Sequence, residues 1–576
     1  MKSRTTNLAL AACMSAALVL SGCASGGDSG EGGSGGGGNA TGAAQDGSDI
    51  AATNAQDRSA LEEGGVFTRD ISDWTTNFNG WHVDGNLAEY NRVLDATDPI
   101  LYNWSADGEM SPRTEFLTEM PKVEEKDGKQ VITFKMNPKA KWNDDTPIDY
   151  TAFEATWKAH AQTVDKGGYN NVATTGYENI ESVVQGETPN EVVVTMKTPY
   201  YPPTEFFQGL IHPKLGASPK AFNELMKTEF HPELRSGPFT LDTIDQQSKT
   251  IVLKPNDKWW GEKPLLSKIV FRQMEDSATI PAFKNGEIDA TRVGNKARLA
   301  QVKGATDLEV RTAPRLTTNV FLFNAKADSL KDINVRKAIW QSINREEIKQ
   351  VRFNGMDWKE KPANSALYFN FQPETADNMP VEFSPEDAKK TLKDAGYTEG
   401  SDGIFAKDGK KVSVKYTTFG DDPMTTALAQ TVQKQVKAGG IDLALDIRPA
   451  AAFGPTMEKR DFGFLAMGWS SNSSSPLTSV CQTMCSDSGS NYSTVGTPEL
   501  DKRMKALGGI EDQAEQTAEM NAIEKEWLQL YGQMPLFNGP EMWAVRKGLA
   551  NWGPAAFGSM HPQWENVGWV KGSSHK

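Results

Sequence analysis

Histidine and cysteine are scarce in this chain, and their scarcity closes off most chemistry. The 576 residues hold six His, at 82, 160, 212, 231, 561 and 575, and no two share the helical spacing of a metal-binding pair. Neither H-E-x-x-H nor the phosphate-cradling G-x-x-x-x-G-K-[ST] occurs. One G-x-S-x-G runs from Gly32 to Gly36, but it lies in a Gly/Ser tract with no strand or helix to brace it as a nucleophile elbow. Acidic pairs such as Asp144-Asp145 and Glu346-Glu347 read as solvated turn and helix surface rather than as an acid/base dyad. No catalytic residue, metal or cofactor is therefore expected. Positive charge is in deficit as well. The net charge is −14 with no Lys/Arg cluster, which argues against a nucleic-acid partner. Beyond the first 22 residues no apolar run is long enough to span a bilayer.

What is present begins at the amino end. Lys2 and Arg4 precede an apolar core from Leu8 to Leu20, which is too short for a membrane span. Leu20-Ser21-Gly22-Cys23 then supplies the small residues and the thiol of a lipobox. Residues 1–22 are expected to be a lipoprotein signal peptide, with Cys23 lipidated and the mature chain held on the outer face of the cell membrane. Two acyl chains anchor firmly where one binds only marginally. Residues 23–60, rich in Gly, Ser, Ala and Asp, cannot bury a core and read as a flexible tether. Of the four Cys, Cys13 leaves with the signal and Cys23 is acylated, so Cys481 and Cys485 remain. Outside the cytoplasm these two are expected to close a small-loop disulfide. A metal site is the weaker reading, since no His or further Cys lies nearby in sequence.

From about residue 61 the composition is globular, and roughly 510 residues exceed one ordinary domain. Runs rich in β-branched and aromatic residues predict strands at Val131–Met136, Glu191–Met196, Thr250–Lys254, Lys268–Gln273, Asn319–Asn324, Val412–Thr418, Ile441–Arg448 and Phe462–Met467. Helices fit Tyr150–Thr163, Ser218–Lys227, Asp276–Lys284, Val335–Val351, Pro385–Ala395, Thr425–Lys437, Pro498–Leu507 and Ala514–Tyr531. Ser384 is placed to cap one of them, with Pro385 at its first position and Gly396 just past its end. The class is α/β with mixed sheets, in at least two lobes of different build.

Aromatic content is the most suggestive feature. Fifteen Trp are present, and many stand beside Gly, Asn or Pro, among them Trp81, Trp104, Trp142, Trp469 and Trp552. Such a Trp at a strand end offers a cleft a large apolar face and one N–H donor. Trp469 is the best case, because an apolar strand runs straight into the polar loop Gly468-Trp469-Ser470-Ser471-Asn472. Strand ends opening onto loops are where α/β proteins bind ligands. A buried structural Trp beside an ordinary turn is the other reading.

Several segments, in order, resemble one family. Met136-Asn-Pro-Lys-Ala-Lys-Trp142-Asn-Asp-Asp-Thr146-Pro147 followed by the Tyr150 helix resembles "kWhDGtPft", with Asp145 where Gly is usual. Ser236-Gly237-Pro238-Phe239 resembles "GTGPY", and Asn256 to Pro264 resembles "NpdYWgGkP". Asn285-Gly286-Glu287-Ile288-Asp289 resembles "GEiD", and Ile333-Asn-Val-Arg336-Lys-Ala338 with Ile343-Asn-Arg345-Glu346 resembles "rvRqAl..aidRe". Glu386 to Tyr397 resembles "A..lL.eAGy". The chain thus resembles the family 5 solute-binding proteins of ABC importers, the oligopeptide-, dipeptide- and nickel-binding group. In such proteins Trp142, Asp145, Trp260, Arg336 and Arg345 mostly build the scaffold.

The resemblance implies a two-lobed periplasmic-binding-protein-like fold with an enlarged first lobe and a ligand cleft between the lobes. Lobe I would comprise residues 61–314 plus 534–576, with an extra subdomain around 110–250, and lobe II residues 315–533. It implies no enzymatic activity, capture of a peptide or other small solute by a monomer, and delivery to ABC permease and ATPase subunits. Peptide-binding relatives carry an Asp at the end of G-W-x-x-D that pairs with the ligand's α-amino group; here Asn472 stands there. Asn supplies no opposing charge, which favours a neutral, blocked or polyhydroxylated ligand, or a peptide held by its backbone. By position in the family pattern, Asp73, Trp74 and Asn77 would face the cleft from lobe I. Trp469, Asn472, Asn491 and Tyr492 would face it from lobe II, and Arg315 would sit just past the crossing. The carboxyl end, Met534 to Trp569, resembles actinobacterial members, some of them linked to envelope glycolipid assembly. An envelope-biogenesis factor on the same fold is thus the rival function, and a secreted hydrolase a more distant one.

Overall fold

The computed structural model describes residues 50–162, 167–171, 176–420, 422–471 and 473–573. The signal peptide, Cys23, the tether up to residue 49 and Asn472 lie outside the described residues. Among those described, no helix is long and apolar enough to cross a membrane.

Two mixed sheets form the centres of the two lobes. The first has seven strands in the order Leu308–Pro314, Pro540–Arg546, Ala290–Arg292, Val66–Ile71, Lys268–Gln273, Thr250–Pro255 and Phe239–Asp245. Val66–Ile71 runs parallel to both its neighbours, Lys268–Gln273 and Ala290–Arg292, and the outer pairs are antiparallel. The second has five strands in the order Asp442–Arg448, Ser413–Phe419, Phe464–Ser470, Thr317–Phe323 and Gln533–Phe537. Ser413–Phe419 is parallel to both its neighbours, while Thr317–Phe323 is antiparallel to both of its own.

A four-stranded sheet, Lys122–Lys126, Lys129–Lys135, Glu191–Met196 and Ile180–Gln185, builds the additional part of the first lobe. Glu191–Met196 alternates strictly, with Val192, Val194 and Met196 inward. The helix Tyr150–Ala161 is capped by the Asp149 side chain, which accepts from the Thr151 N–H, and it buries Ala152, Phe153, Thr156, Ala159 and His160.

The predicted elements map onto observed ones, with one informative break. The pattern over Val335–Val351 predicts one helix. The chain instead forms Ile333–Ser342 and Arg345–Arg352, because the Asn344 side chain turns back to accept from the Glu347 N–H and starts a new helix. Ser384 caps Pro385–Asp394 by accepting from Asp387 N–H, and Gly396 takes φ +85°.

The family-like motifs are scaffold. Trp142 is buried against the His212 ring at 4.8 Å, and Asp145 holds φ +70°, the left-handed turn position that glycine fills in relatives. Lys141 and Lys258 clamp the Asp145 carboxylate at 2.8 and 2.6 Å. The Trp260 indole donates to Glu115 O at 2.8 Å. Arg336 donates to the carbonyls of Leu330 and Leu530, and Arg345 to those of Ala363 and Pro535, so each guanidinium ties a helix to distant chain.

Candidate functional site

The chain crosses between the two central sheets twice, and the crossings lie side by side. The first follows Pro314, the last residue paired in the seven-stranded sheet, where Pro314 lies opposite Pro540. The second falls at Asn538-Gly539, a few residues past the boundary of 534 expected from the sequence, because Gln533–Phe537 still belongs to the five-stranded sheet. Arg315 N–H donates to Gly539 O at 2.9 Å. The buried Asn538 amide donates to Thr317 O and Thr318 Oγ1 and accepts from Asn370 N–H. Gly539 has φ +87°, and its N–H points into the Glu360 carboxylate, 3.1 and 3.2 Å from the two oxygens. Burial pushes the Glu360 carboxyl up to about 7.

The loop after Phe464–Ser470 folds against these crossings. Ser470 Oγ lies 3.0 Å from Thr317 Oγ1, and Ser471 N–H donates to Leu316 O at 3.1 Å. Ser471 Oγ and Ser473 Oγ brace the turn internally, donating to Ser473 O and accepting from Ser475 N–H. Across the boundary Ser473 Oγ donates to Glu205 Oε1 at 3.2 Å. Gly108 approaches so closely that a Cβ there would fall 2.5 Å from Ser474 Cβ. Further contacts join the lobes nearby. Tyr201 N–H donates to Gly508 O, the Gln516 amide donates to Tyr201 O, and the rings of Phe369 and Phe371 meet Phe557.

Trp469 lies opposite Thr318 in the sheet, at the base of this loop. Its indole N–H donates to Gln533 Oε1 at 2.8 Å, which fixes the ring, and the ring lies 13° from parallel to Tyr492 at a centroid distance of 6.3 Å. Both rings are half-buried. They present an aromatic wall beside the loop that carries position 472. Arg460 lies over the Tyr492 ring at 5.9 Å.

The remaining sequence-predicted residues divide into two kinds. Asn77 and Asn491 are buried and spent on their own turns. Asn77 Nδ2 meets His82 Nδ1 at 3.0 Å, and its Oδ1 accepts from Asn79 N–H. Asn491 Nδ2 faces the carbonyls of Met484, Cys485 and Val495, and its Oδ1 accepts from Ser493 Oγ and Thr494 N–H. Each amide thus braces its own loop. Asp73 and Trp74 are half-buried; Asp73 accepts from Ser72 Oγ and Glu89 N–H, and the Trp74 indole donates to Gln246 Oε1.

Arg315 ends an ion-pair chain that the sequence does not reveal. Arg69 and Arg292 each reach Glu89 at 2.6 Å, Arg292 reaches Glu541 at 3.2 Å, and Arg315 approaches Glu541 at 3.8 Å. The guanidinium groups of Arg69 and Arg292 each lie over the Trp543 ring, at 5.1 and 4.8 Å from its centroid. Burial pushes Glu89 up, but Arg292, Arg69 and Arg92 outweigh it and hold the carboxyl down at about 2. The same balance, with Arg292 and Arg315, keeps Glu541 low. The Arg315 side chain is 37% exposed, and its 3.8 Å approach is the longest contact of this ion-pair chain.

Cys481 and Cys485 are joined by a disulfide across the last turn of Leu477–Met484. Asp487 lies close to both sulfurs, but sulfurs bonded to each other have no thiolate to offer a metal. A hollow of about 540 Å³ beside Pro498–Ala506 is lined by Asp487, Lys502 and Lys505 among others, all in lobe II, so it is not the inter-lobe cleft.

The sequence profile of the bacterial extracellular solute-binding proteins, family 5 (middle region), matches residues 104–491, well over half the chain. The chain belongs to that family. Among family 5 relatives, the oligopeptide-binding protein OppA of Mycobacterium tuberculosis (strain ATCC 25618 / H37Rv) is 30% identical over 507 residues, covering 87% of this chain and 84% of OppA. The probable monoacyl phosphatidylinositol tetramannoside-binding protein LpqW of the same strain is 27% identical over 348 residues, covering 55% of this chain and 53% of LpqW. The solved structure of the periplasmic EDTA-binding protein EppA superposes with a TM-score of 0.80 at 20% identity, covering 91% of this chain and 99% of EppA. Membership makes this an extracytoplasmic solute-binding protein on the two-lobed fold, of the substrate-capturing kind that serves ABC importers.

Proposed function

We propose that the protein is a lipid-anchored receptor that captures peptides between its lobes and passes them to a membrane permease powered by its ATPase partner. The observation that carries this reading is the loop 470–475. It is packed on the lobe crossings, contacts the opposite lobe, and stands beside the stacked Trp469 and Tyr492. Enclosure between lobes excludes water and strengthens each polar contact to a bound ligand. Ligand contacts are assigned to Trp469, Tyr492, Asn472 and Arg315, with Asp73 and Trp74 on the first-lobe side. Similarity to OppA over most of both chains supports a peptide. Cys23 supplies the anchor, and the chain acts as a monomer.

Similarity to LpqW favours a second reading, recognition of an envelope glycolipid on the same scaffold. Native mass spectrometry of the purified protein, followed by titration of its tryptophan fluorescence with a peptide pool and with a mannosylated phosphatidylinositol, separates the two. Co-purified peptides and a saturable spectral change with the peptide pool are expected. A response to the glycolipid alone would overturn the peptide reading in favour of the second.

A further inference from the structure

Among the described residues Glu205 has no positive partner. It ends the short turn Pro203–Glu205 of the enlarged first lobe, and its carboxylate accepts from a neutral hydroxyl, Ser473 Oγ, across the lobe boundary. Among the described residues no Lys, Arg or His nitrogen lies within ion-pair distance of it. Comparable carboxylates are provided for. Glu89 and Glu541 are paired with arginines, and Glu565 is gripped by Arg113 at 2.8 and 3.0 Å. Glu524 accepts from Ser365, Asn378 and two backbone N–H groups.

Glu205 itself is half-buried. Its neighbours Thr204 and Phe206 are buried, Phe206 packs on Tyr177 and Tyr200, and the charge of Glu205 is felt by both tyrosines, whose hydroxyls burial has already pushed up. Burial likewise pushes the Glu205 carboxyl up to about 7. A carboxylate held this way is unfavourable until a cation meets it. No group of the described chain does so, and the position it reaches is the residue next to 472.

We propose that Glu205 is a ligand-binding residue: from the lobe opposite the Trp469 loop it supplies the anionic pole that Asn472 lacks, and it binds the protonated amine of the ligand, with Ser473 Oγ as its co-holder. This rests on the peptide reading above, in which that amine is the peptide's free amino terminus. The acid arrives from the first lobe, across the boundary from position 472. An ammonium bound to Glu205 while the ligand rests on Trp469 touches both lobes at once, so the positive charge itself favours closure.

The test uses the full mature protein and two probe pools, free-amino peptides and the same peptides N-acetylated, titrated by tryptophan fluorescence alongside native mass spectrometry of the co-purified ligand. Wild type should prefer the free-amino pool by at least about tenfold, the scale of a close charge pair. Glu205→Gln keeps an acceptor for Ser473 Oγ and should erase that preference while leaving the acetylated pool unchanged. Adding Asn472→Asp to Glu205→Gln should restore it. If Glu205→Gln weakens both pools equally, the residue is a lobe latch and the proposal fails. It fails too if neither pool responds to the substitution. If wild type binds neither pool, the peptide reading falls separately, and Glu205 is then judged on the co-purified ligand: one with no cationic group overturns the assignment.

Discussion

Replacing Glu360 by Gln should flatten the dependence of stability on pH. Glu360 is buried at the second lobe crossing, where both its oxygens face the Gly539 N–H. Its carboxyl ordinarily titrates near 4.5 and is pushed here to about 7, chiefly by burial. Between those two values the folded chain holds a proton that the unfolded chain has released. Stability therefore falls as pH rises through this window, and the contribution is fully present only below it. The whole difference is worth about 3 kcal/mol, and the part lost between pH 5 and 8 about 2.5 kcal/mol. Gln cannot ionise, keeps a carbonyl for Gly539, and carries none of this loss. Urea unfolding of wild type and Glu360→Gln at several pH values from 5 to 8 measures it. The variant should gain about 2.5 kcal/mol on wild type across that range. Other carboxyls raised by burial, Glu205 and Glu524 among them, are common to both proteins and cancel in the difference. Parallel curves would refute the reasoning, since they would mean that Glu360 ionises in place as freely as in the unfolded chain.

Asp145→Gly removes a side chain from a left-handed turn but also gives up the contacts to Lys141 and Lys258, so its melting temperature relative to wild type should rise as salt increases to about 1 M and screens those exposed pairs; a relative melting temperature that does not change with salt would count against this balance. Cys481 and Cys485 should take up no maleimide in urea without reductant and both should label after reduction; labelling of the unreduced protein would show that the bond is absent.

Local patterns carried much of the fold. Glu191–Met196 alternates cleanly because one of its faces is buried and the other is wet. Strands Val66–Ile71 and Pro540–Arg546 are hidden in the sequence for the opposite reason. They lie in the interior of the seven-stranded sheet yet carry Arg69, Glu541 and Arg546, whose charges are met by Glu89, Arg292 and Asp307 from elsewhere in the chain. No period reveals a buried charge whose partner is distant. At the site, an apolar run giving way to serines made the strand Phe464–Ser470 and the loop after it legible. A polar residue in a loop does not declare whether its amide is already spent on that loop, as those of Asn77 and Asn491 are. Glu205 left no signal at all: it meets Ser473 only through the packing of one lobe on the other.

The position of Pro540–Arg546 has a consequence for how the molecule is made. This strand is inserted between Leu308–Pro314 and Ala290–Arg292, so the first lobe's sheet lacks the strand next to its edge until residues 540–546 have been delivered. The second lobe has all five of its strands between Thr317 and Phe537, and its sheet needs no residue beyond them. In a chain that emerges amino end first, the five-stranded sheet can thus be completed before the seven-stranded one. The first lobe waits with two bare strand edges facing each other, the kind of edge that recruits stray partners. The last segment to arrive is the one that seals it, and Leu61 then pairs with Val570 to bring the two ends of the fold together.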